Sequence, residues 1–126
     1  RNFNQINNKF ELTKADMGRA NLFGASIKNG KLMDVNLSNA FMKAANLSGA
    51  DLSGSNLDIA FMYKANLKGA KLDKASMFST QMLGADLSMA SLEEATIAAD
   101  LYRANLRGAN FKNAKFFSKR VFASGP

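Results

Sequence analysis

Residues 45–54 read Ala45-Asn46-Leu47-Ser48-Gly49-Ala50-Asp51-Leu52-Ser53-Gly54, one five-residue phrase written twice. Working outward, the apolar residue at the centre of the phrase recurs every five positions, from Leu12, Met17, Leu22 and Ile27 through to Leu92 and Ile97. Eighteen consecutive places hold Leu, Met or Ile. A four-residue step then leads to Leu101, Leu106, Phe111 and Phe116, which makes 22 places without a polar residue. Two residues before each stands a second inward candidate, which is Ala in 17 of the 22 and otherwise Phe10, Gly30, Val35, Ser55 or Thr80.

A period of five fits neither regular element. In a helix, five residues at about 100° each leave every repeat rotated by roughly 140° from the last, so the apolar set would circle the whole cylinder. In a flat strand an odd period places successive repeats on opposite faces. A coil that bends by about a right angle every five residues puts them all inside. Four repeats then close a square circuit of 20 residues. Ala suits the second inward place because a Leu on every side leaves little room. Circuits stacked at strand spacing, roughly 4.8 Å, give a rod of about 26 Å for five and a half circuits.

The segments Ala45-Asn46-Leu47-Ser48-Gly49, Ala50-Asp51-Leu52-Ser53-Gly54 and Ala104-Asn105-Leu106-Arg107-Gly108 resemble the pentapeptide repeat family, with its A-(D/N)-L-x-x consensus, and the likeness covers residues 10–117. The resemblance implies an all-β fold, a right-handed quadrilateral parallel β-helix. Asn or Asp stands just before the central residue in 11 of the 22 repeats. The resemblance gives this outward side chain a part in holding the turns, as Asx side chains bonding nearby backbone do.

The pattern is flanked by residues 1–9, where Phe3 and Ile6, with Phe10, are placed to cap the first circuit. It is followed by residues 118–126, a C-terminal cap or linker in which Lys119 and Arg120 can block an open coil edge beside Val121 and Phe122. One residue is missing between Ile97 and Leu101, so the stack should be disturbed there. The Arg1 start and the Ser-Gly-Pro end are those expected of a piece of a longer protein.

Composition narrows the chemistry. The chain has no Cys and no His, which removes thiolate chemistry, the usual general base near neutral pH and the commonest metal ligand. No glycine-rich phosphate loop is present, and Asp58, Glu93 and Glu94 read as solvated outward residues, so no catalytic residue, metal site or cofactor is expected. No apolar run approaches a membrane span. The expected setting is a soluble one, the bacterial cytoplasm or secretion into a host cell. Residues 1–100 carry eleven basic and ten acidic groups, whereas residues 101–126 carry six basic and none acidic. The body is nearly neutral and the C-terminal end is basic.

Residues 20 apart should stack on one side of the coil. One side carries Glu11, Lys31, Asp51 and Lys71, a charge-alternating ladder that reads as structural. Another has Phe41 and Phe61 where Asn or Asp is usual, with Phe23, Tyr63, Leu83 and Tyr102 on the far flank of the central residue and Lys43, Lys64 and Arg103 at the border. Contiguous outward aromatics mark a partner contact or a stack that serves only stability. The first alternative makes the protein a non-enzymatic binding rod for a protein partner, as in the bacterial effectors and accessory domains of the family, with self-association through this side or the rod end as a variant. The runner-up is a structural spacer. A DNA mimic acting on gyrase needs an acidic rod, which this is not. Nucleic-acid binding is disfavoured because the aromatics lie mid-rod and the unpaired cations at its end.

Overall fold

The computed structural model of the chain describes residues 11–117. The expected caps, with Phe3, Ile6, Phe10, Lys119, Arg120, Val121 and Phe122, lie outside the described residues.

Each repeat is a short extended segment followed by a turn. The central residue's carbonyl accepts from the N–H three residues on, as in Leu12 to Ala15 at 2.9 Å, Met42 to Ala45 at 3.0 Å and Leu67 to Ala70 at 3.0 Å. The second residue inside each turn has φ between 56° and 72°, whether it is Asp34, Lys64, Gly54 or Gly108. A hydrogen-bonded turn with positive φ at that place has the form of type II. Six of the nine glycines fill this slot, where the lack of a Cβ removes the steric cost. Ile59 also takes it, at φ 60°, a strained conformation for a β-branched residue.

The Asn and Asp residues ahead of the central position brace these turns. In all eleven such repeats Oδ1 accepts the N–H two residues on, from Gly18 on Asp16 to Lys112 on Asn110, at 2.9–3.1 Å. Asp86 also accepts the Ser88 hydroxyl at 2.6 Å, and these two bonds from Ser88 hold its carboxyl below the usual carboxylate range. At Ser76 and Ser91, which stand in the same position, an aspartate from the coil before substitutes. Asp58 accepts from Ser76 Oγ at 2.7 Å and Phe78 N at 2.9 Å, and Asp73 accepts from Ser91 Oγ and, at 3.0 Å, Glu93 N. The expectation that Asp58 is merely solvated is therefore corrected: its carboxylate replaces a missing Asx brace. Glu93 is half-buried and accepts from Asn110 Nδ2 at 3.2 Å, so it too has more than solvent around it, while Glu94 is exposed.

Coils join in parallel in four ladders, at a spacing of 20 residues that becomes 19 for the pairs spanning the missing residue. One runs Glu11–Lys31–Asp51–Lys71–Ser91–Asn110 and another Ser26–Asn46–Asn66–Asp86–Asn105. A third runs Asp16–Asn36–Asn56–Ser76–Thr96–Lys115, and the fourth Asn21–Phe41–Phe61–Gln81–Asp100. The charges of the first ladder alternate in backbone register as expected. Asp51, however, turns Oδ1 to its own Ser53 N–H, so that carboxylate braces a turn rather than serving only its lysine neighbours.

At the missing residue the pattern fuses into longer strands. These are β1 (Ser76–Gln81), β2 (Thr96–Asp100) and β3 (Lys115–Phe116), parallel and in the order β1-β2-β3. The register of β1 on β2 shifts between Phe78 and Gln81, where Ser79 and Thr80 meet one residue fewer. The residue that β2 lacks is the turn residue of positive φ, so the chain runs straight through what is elsewhere a corner.

The central and alanine places form one continuous core, with Leu22, Leu52, Met62 and Leu67 fully buried. Thr80 enters this core by donating its hydroxyl to Leu57 O at 2.8 Å. Leu12, Leu106 and Phe111 are only partly buried. Phe116, expected to point inward, is 40% exposed. It lies in the last described coil, which has a described neighbour on one side only.

Candidate protein-binding face

The ladder Asn21–Phe41–Phe61–Gln81–Asp100 carries the face of interest. Phe41 and Phe61 occupy the place that elsewhere holds a turn-bracing Asx, and their rings stack at 5.2 Å between centroids and 6° between planes. Strand pairing sets this: bridged residues of adjacent coils stand at roughly 4.8 Å, close to a ring-stacking distance. The pair does not retreat inward, since Leu22, Met42 and Met62 fill the core beneath it. Phe41 is 51% exposed and Phe61 is half-buried.

Two residues further along each repeat a second column runs through Phe23, Lys43, Tyr63, Leu83 and Tyr102. Phe23 is 59% exposed, Lys43 is exposed, and Tyr63 and Leu83 are half-buried. Between the two columns lies an open groove of about 670 Å³, lined by Arg19, Asn21, Phe23, Phe41, Lys43, Phe61 and Tyr63. Of the nine residues picked from sequence, Phe23, Phe41, Lys43, Phe61 and Tyr63 meet at this groove. Lys64, Leu83, Tyr102 and Arg103 lie outside its lining, and Arg103 caps the Tyr102 ring with its guanidinium at 5.2 Å from the centroid.

Sequence reasoning missed Arg19 and Asn21. Asn21 is the Asx residue of the first repeat on this side and braces Phe23 N–H at 3.1 Å. Arg19 belongs to the preceding repeat but sits at its turn, φ 62°, from which it reaches the groove. A second aromatic group was also missed. Phe78 and Phe117 approach to 5.9 Å and Phe111 and Phe116 to 5.8 Å. Ala98 lies between Phe78 and Phe117 in that column, and its small side chain lets the two rings close over it. The missing corner residue next to Ala98 was the available signal.

Among the described residues no group of three or more carboxylates gathers as a metal site, and no helix is long and apolar enough to cross a membrane.

A profile of pentapeptide repeats matches the chain in eight copies, over residues 10–39, 34–62, 45–80, 60–97 and 84–117. No curated protein matches by sequence. Among solved structures the chain is similar to the pentapeptide repeat protein Rfr23 from the cyanobacterium Cyanothece 51142, at 27% identity and a TM-score of 0.57, over 77% of this chain and 60% of Rfr23. It is similar to alr5209, a pentapeptide repeat protein from Nostoc Pcc 7120, at 29% identity and a TM-score of 0.52, over 85% of this chain and 86% of that one. A pentapeptide repeat protein of the Arabidopsis thaliana thylakoid lumen shares 40% identity, with a TM-score of 0.47, over 59% of this chain and 55% of that one. The chain thus spans about three-fifths of the length of Rfr23. With the repeat profile covering residues 10–117, the chain belongs to the pentapeptide repeat family.

Proposed function

We propose that this protein is a non-enzymatic binding module, a right-handed four-sided rod of about five and a half coils whose aromatic side docks a protein partner. The candidate contact residues are Phe23, Phe41, Lys43, Phe61, Tyr63, Lys64, Leu83, Tyr102 and Arg103. One observation carries the reading: Phe41 and Phe61 displace turn-bracing residues, stack in parallel and leave an apolar groove open to solvent beside them. Large side chains that give up a local hydrogen bond and stay exposed gain most if something covers them.

The test is the pair F41N/F61N. Each Asn can brace the N–H two residues on, Lys43 or Tyr63, as the other Asx residues do, so the rod keeps its fold. It loses the ring pair, about 0.5–1.5 kcal/mol. A partner pulled down and identified with the wild-type rod should be lost by this variant. A rod that is badly destabilised yet still holds that partner would move the site elsewhere, most directly to the basic C-terminal end. A structural spacer would show no such partner with either protein.

A further inference from the structure

The groove is cationic as well as apolar. Its lining contains Arg19 and Lys43 and no Asp or Glu, and Lys64 is exposed in the same repeat as Phe61 and Tyr63. The carboxylate of this side is Asp100, two coils further on, and it is engaged by Tyr102 N–H at 3.1 Å. The bias is local, since residues 1–100 are almost balanced in charge. The side with the charge ladder, by contrast, mixes Glu11, Lys31, Asp51 and Lys71.

Resting on the reading that the aromatic side is the docking surface, we infer that its occupant is an extended acidic peptide segment, with an apolar or aromatic anchor between the Phe41/Phe61 and Phe23/Tyr63 columns and carboxylates reaching Arg19 and Lys43. The dimensions suit such a segment. Three coils place the groove's ends about 10 Å apart, and an extended peptide rises about 3.3 Å per residue, so three or four residues span it. The ring faces offer contact area without fixing a sequence. The two cations, Arg19 on the first of these coils and Lys43 on the second, select for negative charge.

The experiment uses the whole chain and a fluorescein-labelled peptide, Glu-Glu-Phe-Glu-Leu-Glu. Controls are the same peptide with Lys for every Glu, the same with Ser for Phe and Leu, and a labelled ten-nucleotide oligothymidine. Fluorescence anisotropy should show binding of the acidic apolar peptide at least tenfold tighter than of any control, weakening as salt rises. R19E/K43E, or R19Q/K43Q if the reversal disturbs folding by circular dichroism, should weaken it about tenfold or more. F41N/F61N should weaken it as well. Equal affinity for the Lys peptide, no binding up to millimolar protein, tighter binding of the oligothymidine, or indifference to both charge variants would each overturn the inference. If R19E/K43E keeps the partner captured by wild type while F41N/F61N loses it, the acidic occupant fails and the aromatic docking side stands. If neither variant loses the partner, both fail.

Discussion

At the residue scale, this fold turns on two places with opposite demands. The inward place tolerates nothing polar that cannot find an acceptor. Leu52 is fully buried with coils on both sides, so Leu52→Asn leaves an amide among aliphatic side chains and should cost several kcal/mol, about 3 or more. A urea melt within a few tenths of a kcal/mol of wild type would contradict the burial. Ala65 is equally enclosed, and Ala65→Leu should cost about 1–3 kcal/mol through overpacking. The turn place asks for positive φ. At Gly54 a Cβ would also collide with Oδ1 of Asp34 in the coil before, so Gly54→Ala should lose more than the same change at Gly69, where that space is open. Titration adds a further check. The Asp86 carboxyl is lowered by its bonds from Ser88, so its contribution is complete above the ordinary carboxylate pKa of about 3.9 and fades as the pH falls through the lower folded value. Asp86→Asn keeps the acceptor but not the charge. Its stability deficit at neutral pH should therefore shrink on acidification, measured as paired denaturation curves from pH 7 to pH 2. A deficit that does not change with pH would mean the charge is immaterial.

At the element scale, the unit is a turn plus an extended segment, and most of it was legible from spacing alone. The period of five demanded a bend in each repeat, and the Leu and Ala columns fell inside. The Asx column braces turns in all eleven cases. The left-handed turn residue went unread although six glycines, with Asn29, Asp34, Asn39 and Asn113, stand in that column, because the other ten occupants, Lys14, Ile59 and Glu94 among them, have no local preference for positive φ. There the ladders on either side override propensity. Asp58 was misread for a related reason: its partners, Ser76 and Phe78, are about 20 residues away, and a single repeat gives no hint of them. The groove was half legible. Its aromatic columns follow from the 20-residue register, but Arg19 enters from a corner of the preceding side. The missing residue after Ala98 yields a contrast to measure. A Gly inserted between Ala98 and Ala99 restores the absent corner and should leave a cooperative thermal transition. A Gly inserted between Asn46 and Leu47 pushes every later central residue of that coil out of place and should abolish it. Equal tolerance of both insertions would refute the corner assignment.

At the scale of the molecule, backbone hydrogen bonds beyond the turns run between one coil and the next, and the core is a single column of side chains. Such a stack is close to one-dimensional, with stability approximated by the sum of its coils and their interfaces. Deleting residues 65–84 as a block joins Lys64 to Ala85 in unbroken register and spares the groove. The shortened rod should still fold, with a urea m-value lower by about a fifth, in proportion to the surface removed. Deleting 65–83 instead should give no cooperative transition, and folding of both would show that the register of 20 is not what holds the rod. The same nearest-neighbour bonding governs the response to force. When the rod is held by its two ends and stretched, each described coil is bonded through its backbone only to its neighbours. Coils should peel from a terminus in succession, each releasing 20 residues, or roughly 70 Å of contour, so that the rod pays out slack in even increments like line from a reel.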